Sequence, residues 1–199
     1  MRLVTYRVGA RHGYGVVVPD GDDDAIVELG DRIPGAPTLR NLLDGRLDDV
    51  RPFLDEPPVL HLDDVELLPP IPDPARILCI GLNYAAHREE TGRTPTDHPT
   101  VFVRFASSLV GHRRPIVRPA ASDRLDWEGE LAVVIGRGGR HIPEQQALEH
   151  VAGYSCFNDG SVRDFQSHTT QFTPGKNFDA SGAFGPWLVT ADEVPDPTA

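Results

Sequence analysis

The sequence predicts a mixed α+β fold that is rich in β-strand. Short runs of β-branched and aromatic residues recur along the chain, and 19 glycines with 19 prolines indicate many turns and few long helices. The chain has 199 residues, of which 39% are hydrophobic, so it is long enough to bury a genuine core. An all-helical fold is therefore not expected.

The first 70 residues are predicted to form a small module that contains β-strands. Residues 3–8 and 14–18 are β-prone runs on either side of a glycine-containing loop, which is typical of a hairpin. Residues 38–47 are predicted to form a short helix. The proline-rich segment 69–74 interrupts regular structure and is interpreted as a semi-rigid connector. We therefore expect a boundary there, with a main body at residues 71–199.

The main body is predicted to alternate strands with short helical segments. The apolar runs at 76–80, 101–105 and 131–135 are interpreted as strands, the first of them buried. The segments 85–91 and 143–150 are interpreted as helical, the second with a proline in its first turn.

The two cysteines, Cys79 and Cys156, lie in apolar runs without C-x-x-C spacing. A zinc site or a disulfide framework is therefore not expected, and both thiols are predicted to be buried.

The charge of the chain argues against polyanionic partners. The formal net charge is −11, whereas nucleic acids and anionic membranes are bound through clustered lysine and arginine. No stretch has the length of a membrane-spanning helix, and the N-terminus lacks a long apolar run. We expect a cytoplasmic protein that binds neither nucleic acid nor membrane. An anionic small molecule would need a local cation.

Three carboxylates occupy alternate positions in the segment Asp126, Glu128 and Glu130. Alternate residues of a strand share one face, so these side chains would project together and raise one another's pKa. A hard divalent cation would relieve the repulsion, and ligands that are all oxygens suit Mg²⁺, Mn²⁺ or Ca²⁺. The alternative is an acidic strand end that water screens.

His87 and Glu90 are three residues apart and would share one face if this segment is helical. A carboxylate that orients an imidazole and stabilises its protonated form lets the histidine take a proton from water near neutral pH. The alternative is a surface histidine beside acidic neighbours.

Asp159 is a candidate third oxygen ligand at the start of a dense polar cluster. Arg163 and Gln166 in this cluster would share a helical face and offer a guanidinium fork and an amide to an anionic substrate. The alternative is that Asp159 caps a helix and Arg163 is solvated. Lys176 directly follows Gly175, whose bare backbone permits close approach to a ligand. This lysine could neutralise an enolate or a carboxylate, or could be an ordinary solvated loop residue.

These motifs, in their order and spacing, resemble the fumarylacetoacetate hydrolase family over residues 75–190. The resemblance rests on the segment 80–84 with His87 and Glu90, on the acidic segment 126–131, on the segment 158–166, and on Gly175-Lys176. It implies a β-roll of the family's C-terminal type and a metal site, usually for Mg²⁺ or Mn²⁺, with Ca²⁺ as a further candidate. By this resemblance, Asp126 lies behind three ligands, which are Glu128, Glu130 and Asp159.

The resemblance also implies a substrate and a reaction. The substrate would be a short β-diketo or 2-oxo acid that chelates the metal near Arg163 and Gln166. His87, backed by Glu90, would activate water, while the metal and Lys176 would stabilise the enolate. We expect hydrolysis of a C–C bond because both members of the His87 and Glu90 pair are present. The alternative is isomerase or decarboxylase action on a 2-hydroxymuconate-type or 2-oxo acid, since the family shares one site architecture.

Family members usually continue beyond the point where this sequence stops, so the resemblance implies an incomplete roll with unpaired strand edges and uncovered apolar surface. A non-enzymatic alternative follows, in which an inactive truncated fragment keeps the ligand residues as a metal-binding module. If the chain folds, the resemblance implies a homodimer.

Overall fold

The computed structural model describes residues 1–84 and 97–198, which form a sheet-rich fold with short helices. The predicted mixed, β-rich class is confirmed. The α-helical segments of the described chain have four residues each and are Leu39–Leu42, Arg163–Gln166 and Thr173–Lys176. The strands are β1 (Arg2–Val8), β2 (Arg11–Asp20), β3 (Asp23–Glu28), β4 (Leu60–His61), β5 (Glu66–Leu67), β6 (Ile77–Gly81), β7 (Thr100–Arg104), β8 (Leu109–Val110), β9 (Leu125–Asp126), β10 (Gly129–Ile135), β11 (Val151–Asn158), β12 (Ser161–Val162), β13 (Gly182–Phe184) and β14 (Leu188–Thr190).

One large sheet dominates the described part of the chain. Its strand order is β4-β3-β2-β1-β14-β11-β13-β8, with β10 added beside β11 and β5 beside β1. Two small sheets consist of β6 with β7 and of β9 with β12. Neighbours pair antiparallel except β8 with β13, which are parallel. Because β1 pairs with β14, the N-terminal strands share a sheet with β11. The division of the chain at residue 70 stays a prediction.

The predicted N-terminal hairpin is confirmed, since β1 and β2 pair over their whole facing length. Gly9 in its turn has a φ of 59°, a left-handed conformation that glycine adopts without a steric penalty. Leu3 and Leu188 face each other across β1 and β14 and belong to one buried apolar cluster. Val4, the next residue of β1, belongs to a second buried cluster. Successive side chains point to opposite faces, so this part of the sheet is covered on both sides.

Other strands are covered less completely than the sequence predicts. The expected buried strand at residues 76–80 exists as β6, but Leu78 and Ile80 are 62% and 42% exposed. The expectation of burial was wrong because, among the described strands, β6 pairs with β7 alone and turns alternate side chains outward. Leu131, Val133 and Ile135 of β10 likewise face outward, whereas Val134 packs against the core. Cys79 is buried as predicted, whereas Cys156 is exposed because it pairs with an outward-facing residue of β10, contrary to prediction.

The predicted helices are shorter or tighter than expected. The helix predicted at 38–47 is reduced to Leu39–Leu42, and Thr38 caps it by accepting a hydrogen bond from the backbone N–H of Asn41. The segment predicted at 143–150 forms the 3₁₀ helix Glu144–His150 after Pro143. The helical turn predicted at 85–91 lies outside the described residues. The described residues contain no helix that is both long and apolar enough to cross a bilayer.

A hydrogen-bond network of three polar side chains connects the first three strands. The Tyr6 hydroxyl donates to Glu28 at 2.6 Å, and Arg11 donates to the other oxygen of Glu28 at 2.7 Å. The hydrogen bond from Arg11 and that from Tyr6 hold the pKa of Glu28 below its usual range, although burial opposes this shift. The ionised form of Glu28 therefore stabilises the fold.

Leu188→Ala should lower the free energy of unfolding by about 2–5 kcal/mol, because it empties a fully buried position between β1 and β11. Leu148→Ala is the matched control at an exposed leucine and should change it by less than about 0.5 kcal/mol. Urea titration measures both. Equal effects of the two substitutions would contradict the description of the core.

Glu28→Gln should make the protein less sensitive to acid. A depressed pKa contributes stability above the usual carboxyl pKa, and this contribution is lost as pH falls through the folded-state value. Wild type should therefore lose more stability than Glu28→Gln between about pH 5 and pH 3, as measured by urea midpoints. Glu149→Gln removes an exposed carboxylate and should follow wild type. Parallel acid profiles of wild type and Glu28→Gln would refute the role of this network.

Candidate metal centre

Three carboxylates from two neighbouring strand ends converge in the structure. One oxygen from each of Glu128, Glu130 and Asp159 lies within 4.8 Å of the others. Glu130 belongs to β10, and Asp159 directly follows β11, whose residue Asn158 pairs with Gly129. The antiparallel pairing of β10 with β11 thus brings the acids together. They are the residues selected from the sequence, and their role as metal ligands stays a prediction.

The acidic segment is not one continuous strand. Asp126 ends β9, which pairs with β12, whereas β10 begins at Gly129 and pairs with β11. The chain crosses between the two sheets at Glu128, whose backbone N–H donates to the side chain of Asn158 at 3.1 Å. The interpretation of three acids on one strand face was therefore wrong. Asp126 lies apart from the carboxylate cluster and accepts hydrogen bonds of 2.8 and 3.0 Å from Arg163.

Two cations of the chain contact the carboxylate cluster. The Lys176 ammonium is buried, with 1% of the residue exposed, and donates to Glu128 at 2.8 Å and to Asp159 at 2.6 Å. Arg163 contacts the other oxygen of Glu128 and donates to Gln166 at 3.0 Å, so the predicted pair on one helical face is observed. Lys176 is not a solvated loop residue, and Asp159 is not a helix cap, since the helix begins at Arg163.

Local packing fixes the position of Lys176. It ends the helix Thr173–Lys176, where a Cβ at Gly175 would lie 2.5 Å from the backbone nitrogen of Gln166, so glycine lets two short helices touch. The next residue, Asn177, accepts a hydrogen bond from the Phe105 N–H at 2.7 Å and donates to the Val103 carbonyl at 2.9 Å. These contacts hold Lys176 between the helix Arg163–Gln166 and β7.

The cluster members differ in how their charge is compensated. Burial, and then the charges of Asp159 and Glu128, raise the pKa of Glu130 to about 7. Burial also opposes ionisation of Glu128, but Lys176 and Arg163 outweigh it and hold the pKa of Glu128 below its usual range. The hydrogen bond from Arg163 lowers the pKa of Asp126 in the same way. The repulsion between carboxylates is thus concentrated on Glu130.

The donor set fits a hard divalent cation. Ligand oxygens lie at about 2.0–2.6 Å from Mg²⁺ or Ca²⁺, so oxygens around one ion are within roughly 5 Å of one another, as they are in this cluster. The cluster contains neither cysteine nor histidine, which softer metals prefer. Two of its three carboxylates, Glu128 and Asp159, already bind a cationic group, the ammonium of Lys176. Glu128, Glu130 and Asp159 could therefore hold a metal.

Arg104 was not predicted from the sequence as a residue of this site, whereas Lys176 was. Arg104, the last residue of β7, is buried and paired with Asp159, and the sequence signal for it is a charged residue within the apolar run 101–105. Lys176 is the only lysine among 19 basic residues, which sets it apart from the arginines of the chain. His87 and Glu90, the proposed base and its partner, lie outside the described residues.

The chain matches a known family and several of its members. Residues 76–199 match the family model described as Fumarylacetoacetate (FAA) hydrolase C-terminal. The human protein named oxaloacetate tautomerase FAHD2A, mitochondrial, is 37% identical over 204 residues, covering 99% of this chain and 65% of that protein. The cytoplasmic location expected for this chain stays a prediction.

Several solved structures resemble this one. The 5-carboxymethyl-2-hydroxymuconate delta-isomerase from Mycobacterium smegmatis has a TM-score of 0.71 and 31% identity, over 96% of this chain and 67% of that one. The maleylpyruvate hydrolase from Sphingobium sp. SYK-6, in complex with manganese(II) and pyruvate, has a TM-score of 0.77 and 28% identity, over 99% of this chain and 70% of that one.

The chain therefore spans 65% of the length of the human relative. The family match covers more than half of the chain and contains the whole carboxylate cluster. As its motifs predicted, the chain belongs to the fumarylacetoacetate hydrolase family.

Proposed function

We propose that Glu128, Glu130 and Asp159 bind Mg²⁺ or Mn²⁺ and that the chain promotes keto–enol tautomerisation of a short 2-oxo dicarboxylic acid such as oxaloacetate. The convergence of three carboxylate oxygens within 4.8 Å carries this proposal. The names of the human relative and of the isomerase support the reaction class. The manganese and pyruvate in the hydrolase structure support the metal and the type of ligand.

The charges around the cluster suit an anionic substrate. Four carboxylates, those of Asp126 and the cluster, face three cations, Arg104, Arg163 and Lys176. When bound, a divalent ion acts as a Lewis acid on an oxo group, and it also makes the summed formal charge of these groups positive. Arg163 presents a guanidinium fork that fits a carboxylate, and Gln166 lies beside it at 3.0 Å. These two side chains would orient the substrate acid.

Tautomerisation moves one proton and needs no second reactant. The C–H bond next to the oxo carbon breaks, its electron pair forms the C–C double bond, and the oxo oxygen gains a proton. Lys176 Nζ would be the donor to this oxygen, because it lies at the carboxylate cluster, 2.8 Å from Glu128 and 2.6 Å from Asp159. Its burial excludes water, and a preorganised donor stabilises developing charge better in such surroundings. His87 with Glu90 remains the proposed base.

Hydrolysis of a C–C bond is the second candidate. It is favoured by the likeness to the maleylpyruvate hydrolase structure and by the presence of both His87 and Glu90 in the sequence. In this reaction, His87 would activate water, while Lys176 would stabilise the enolate that leaves. Tautomerisation keeps all atoms of the substrate in one molecule, whereas hydrolysis divides the substrate into two products.

Glu130→Gln should weaken Mn²⁺ binding at least about 10-fold, because it removes one ligand charge. The same change should raise the melting temperature of the metal-free protein at pH 8, by about 2–4 °C if it gains about 1 kcal/mol, because it relieves repulsion from Glu128 and Asp159. Isothermal titration and thermal unfolding in EDTA measure the two effects.

Glu149→Gln is the matched control at an exposed glutamate away from the cluster and should change Mn²⁺ affinity less than threefold, on the order of 0.5 kcal/mol. Weaker Mn²⁺ binding together with a higher melting temperature in Glu130→Gln would show that a ligand was lost and that the variant is not misfolded. Unchanged Mn²⁺ affinity in Glu130→Gln would remove the basis of the proposed centre.

With saturating Mn²⁺, the protein should accelerate the decay of enol oxaloacetate, followed by its ultraviolet absorbance. Lys176→Met should lower kcat about 100-fold, because the hydrogen-bond donor that stabilises negative charge on the enolate oxygen is lost. The Lys176→Met variant should keep its Mn²⁺ affinity, because Lys176 is not a proposed ligand and its positive charge does not attract the metal ion. Arg137→Met removes an exposed cation and should behave as wild type.

An assay of maleylpyruvate with detection of released pyruvate decides between the two candidates. Pyruvate release without tautomerisation of oxaloacetate would favour hydrolysis and reject the first proposal. Stoichiometric Mn²⁺ binding without turnover of either acid would reject both and favour a metal-binding module that is not an enzyme.

A further inference from the structure

We propose that Arg104 is a positioning residue that fixes the orientation of Asp159 in the metal centre. This inference rests on the proposed function, because it concerns how the same centre is built. Arg104 ends β7, and its side chain and that of Asp159 are both 0% exposed. A buried ion pair of this kind needs good geometry and further hydrogen bonds to offset the cost of desolvation. The surroundings of Arg104 supply both.

The guanidinium of Arg104 is anchored by every one of its nitrogens. Nε donates to the hydroxyl of Ser108 at 3.1 Å, and Nη2 donates to the hydroxyl of Ser181 at 2.9 Å. Nη1 donates to Asp159 Oδ1 and to the Gly160 carbonyl at 3.1 Å. A planar fork with five donors can serve these acceptors at once, whereas the point charge of a lysine cannot. The anchored guanidinium is therefore a fixed reference for Asp159.

The two oxygens of Asp159 have different partners. Oδ1 accepts from Arg104, whereas Oδ2 accepts from Lys176 at 2.6 Å, on the side of Glu128. Turning the carboxylate out of this plane would pull its oxygens away from both partners and break a buried charged hydrogen bond, which is costly. Arg104 thus holds Asp159 with Oδ2 directed at the cluster.

The neighbouring strand is shaped around this guanidinium. A Cβ at Gly182, the first residue of β13, would lie 2.6 Å from Arg104 Nη2 and 2.9 Å from its Cζ. Any side chain at Gly182 would therefore push the guanidinium from its place. This gives a way to move Arg104 without removing a polar group from the site.

The test compares Arg104→Lys and Gly182→Ala with Arg113→Lys, the same exchange at an exposed arginine. Mn²⁺ affinity and the electron paramagnetic resonance spectrum of bound Mn²⁺ are measured on the full chain, with circular dichroism and melting in EDTA as the check of folding. Arg104→Lys should raise the Kd about 10-fold, and Gly182→Ala several-fold, with a broadened Mn²⁺ spectrum in both. Arg113→Lys should match wild type in affinity and spectrum.

Wild-type affinity and spectrum in both test variants would overturn the proposal. A variant that melts earlier in EDTA but binds Mn²⁺ as wild type does would also overturn it, since Arg104 would then support only the fold. If Arg104→Lys fails to fold, Gly182→Ala decides alone. Failure of wild type itself to bind Mn²⁺ is a different result, because it would overturn the metal centre and the role of Arg104 together.

Discussion

The structure depends on keeping three carboxylates together in a partly buried place without letting their repulsion open the fold. Asp159 is the extreme case, since it is 0% exposed and lies between the cations of Arg104 and Lys176. Removing one partner of a buried ion pair typically costs about 3–5 kcal/mol. The two cations are therefore as necessary to this region as the apolar core is to β1 and β14.

The strands and short helices deliver these charges from distant parts of the sequence. β10 and β11 bring Glu130 beside Asp159, β7 supplies Arg104, and the helix Thr173–Lys176 supplies the ammonium. Close backbone contacts at glycines let these elements meet. In the proposed function, a bound divalent ion would compensate part of the charge of the acids, and the same cations would then become available to an anionic ligand. Stability and the proposed chemistry thus draw on one set of charges.

The sequence predicted the acids better than it predicted their setting. Glu128, Glu130 and Asp159 could be chosen because their order and spacing resemble the motifs of a known family. The hairpin of β1 and β2 could be predicted from local β-propensity and a glycine turn. The crossing at Glu128 depends on a hydrogen bond from its backbone N–H to the side chain of Asn158, 30 residues away, which local periodicity does not report.

Burial of individual side chains was equally hard to predict. Arg104 resembles an outward-facing strand residue in the sequence, and only the partners from three separate segments explain why it is buried. Conversely, Leu78 and Ile80 look like core residues, yet within the described residues β6 has a single neighbouring strand and exposes them. Tertiary pairing decides both cases, because the local pattern is the same whether or not a strand is covered.

Anomalous diffraction at the manganese edge, from crystals of this chain soaked in Mn²⁺, tests the central claim most directly. The account predicts one strong peak bounded by oxygens of Glu128, Glu130 and Asp159, with Arg104 still bonded to Oδ1 of Asp159. Crystals that show no peak at these oxygens, or that bind manganese only at other carboxylates, would contradict it.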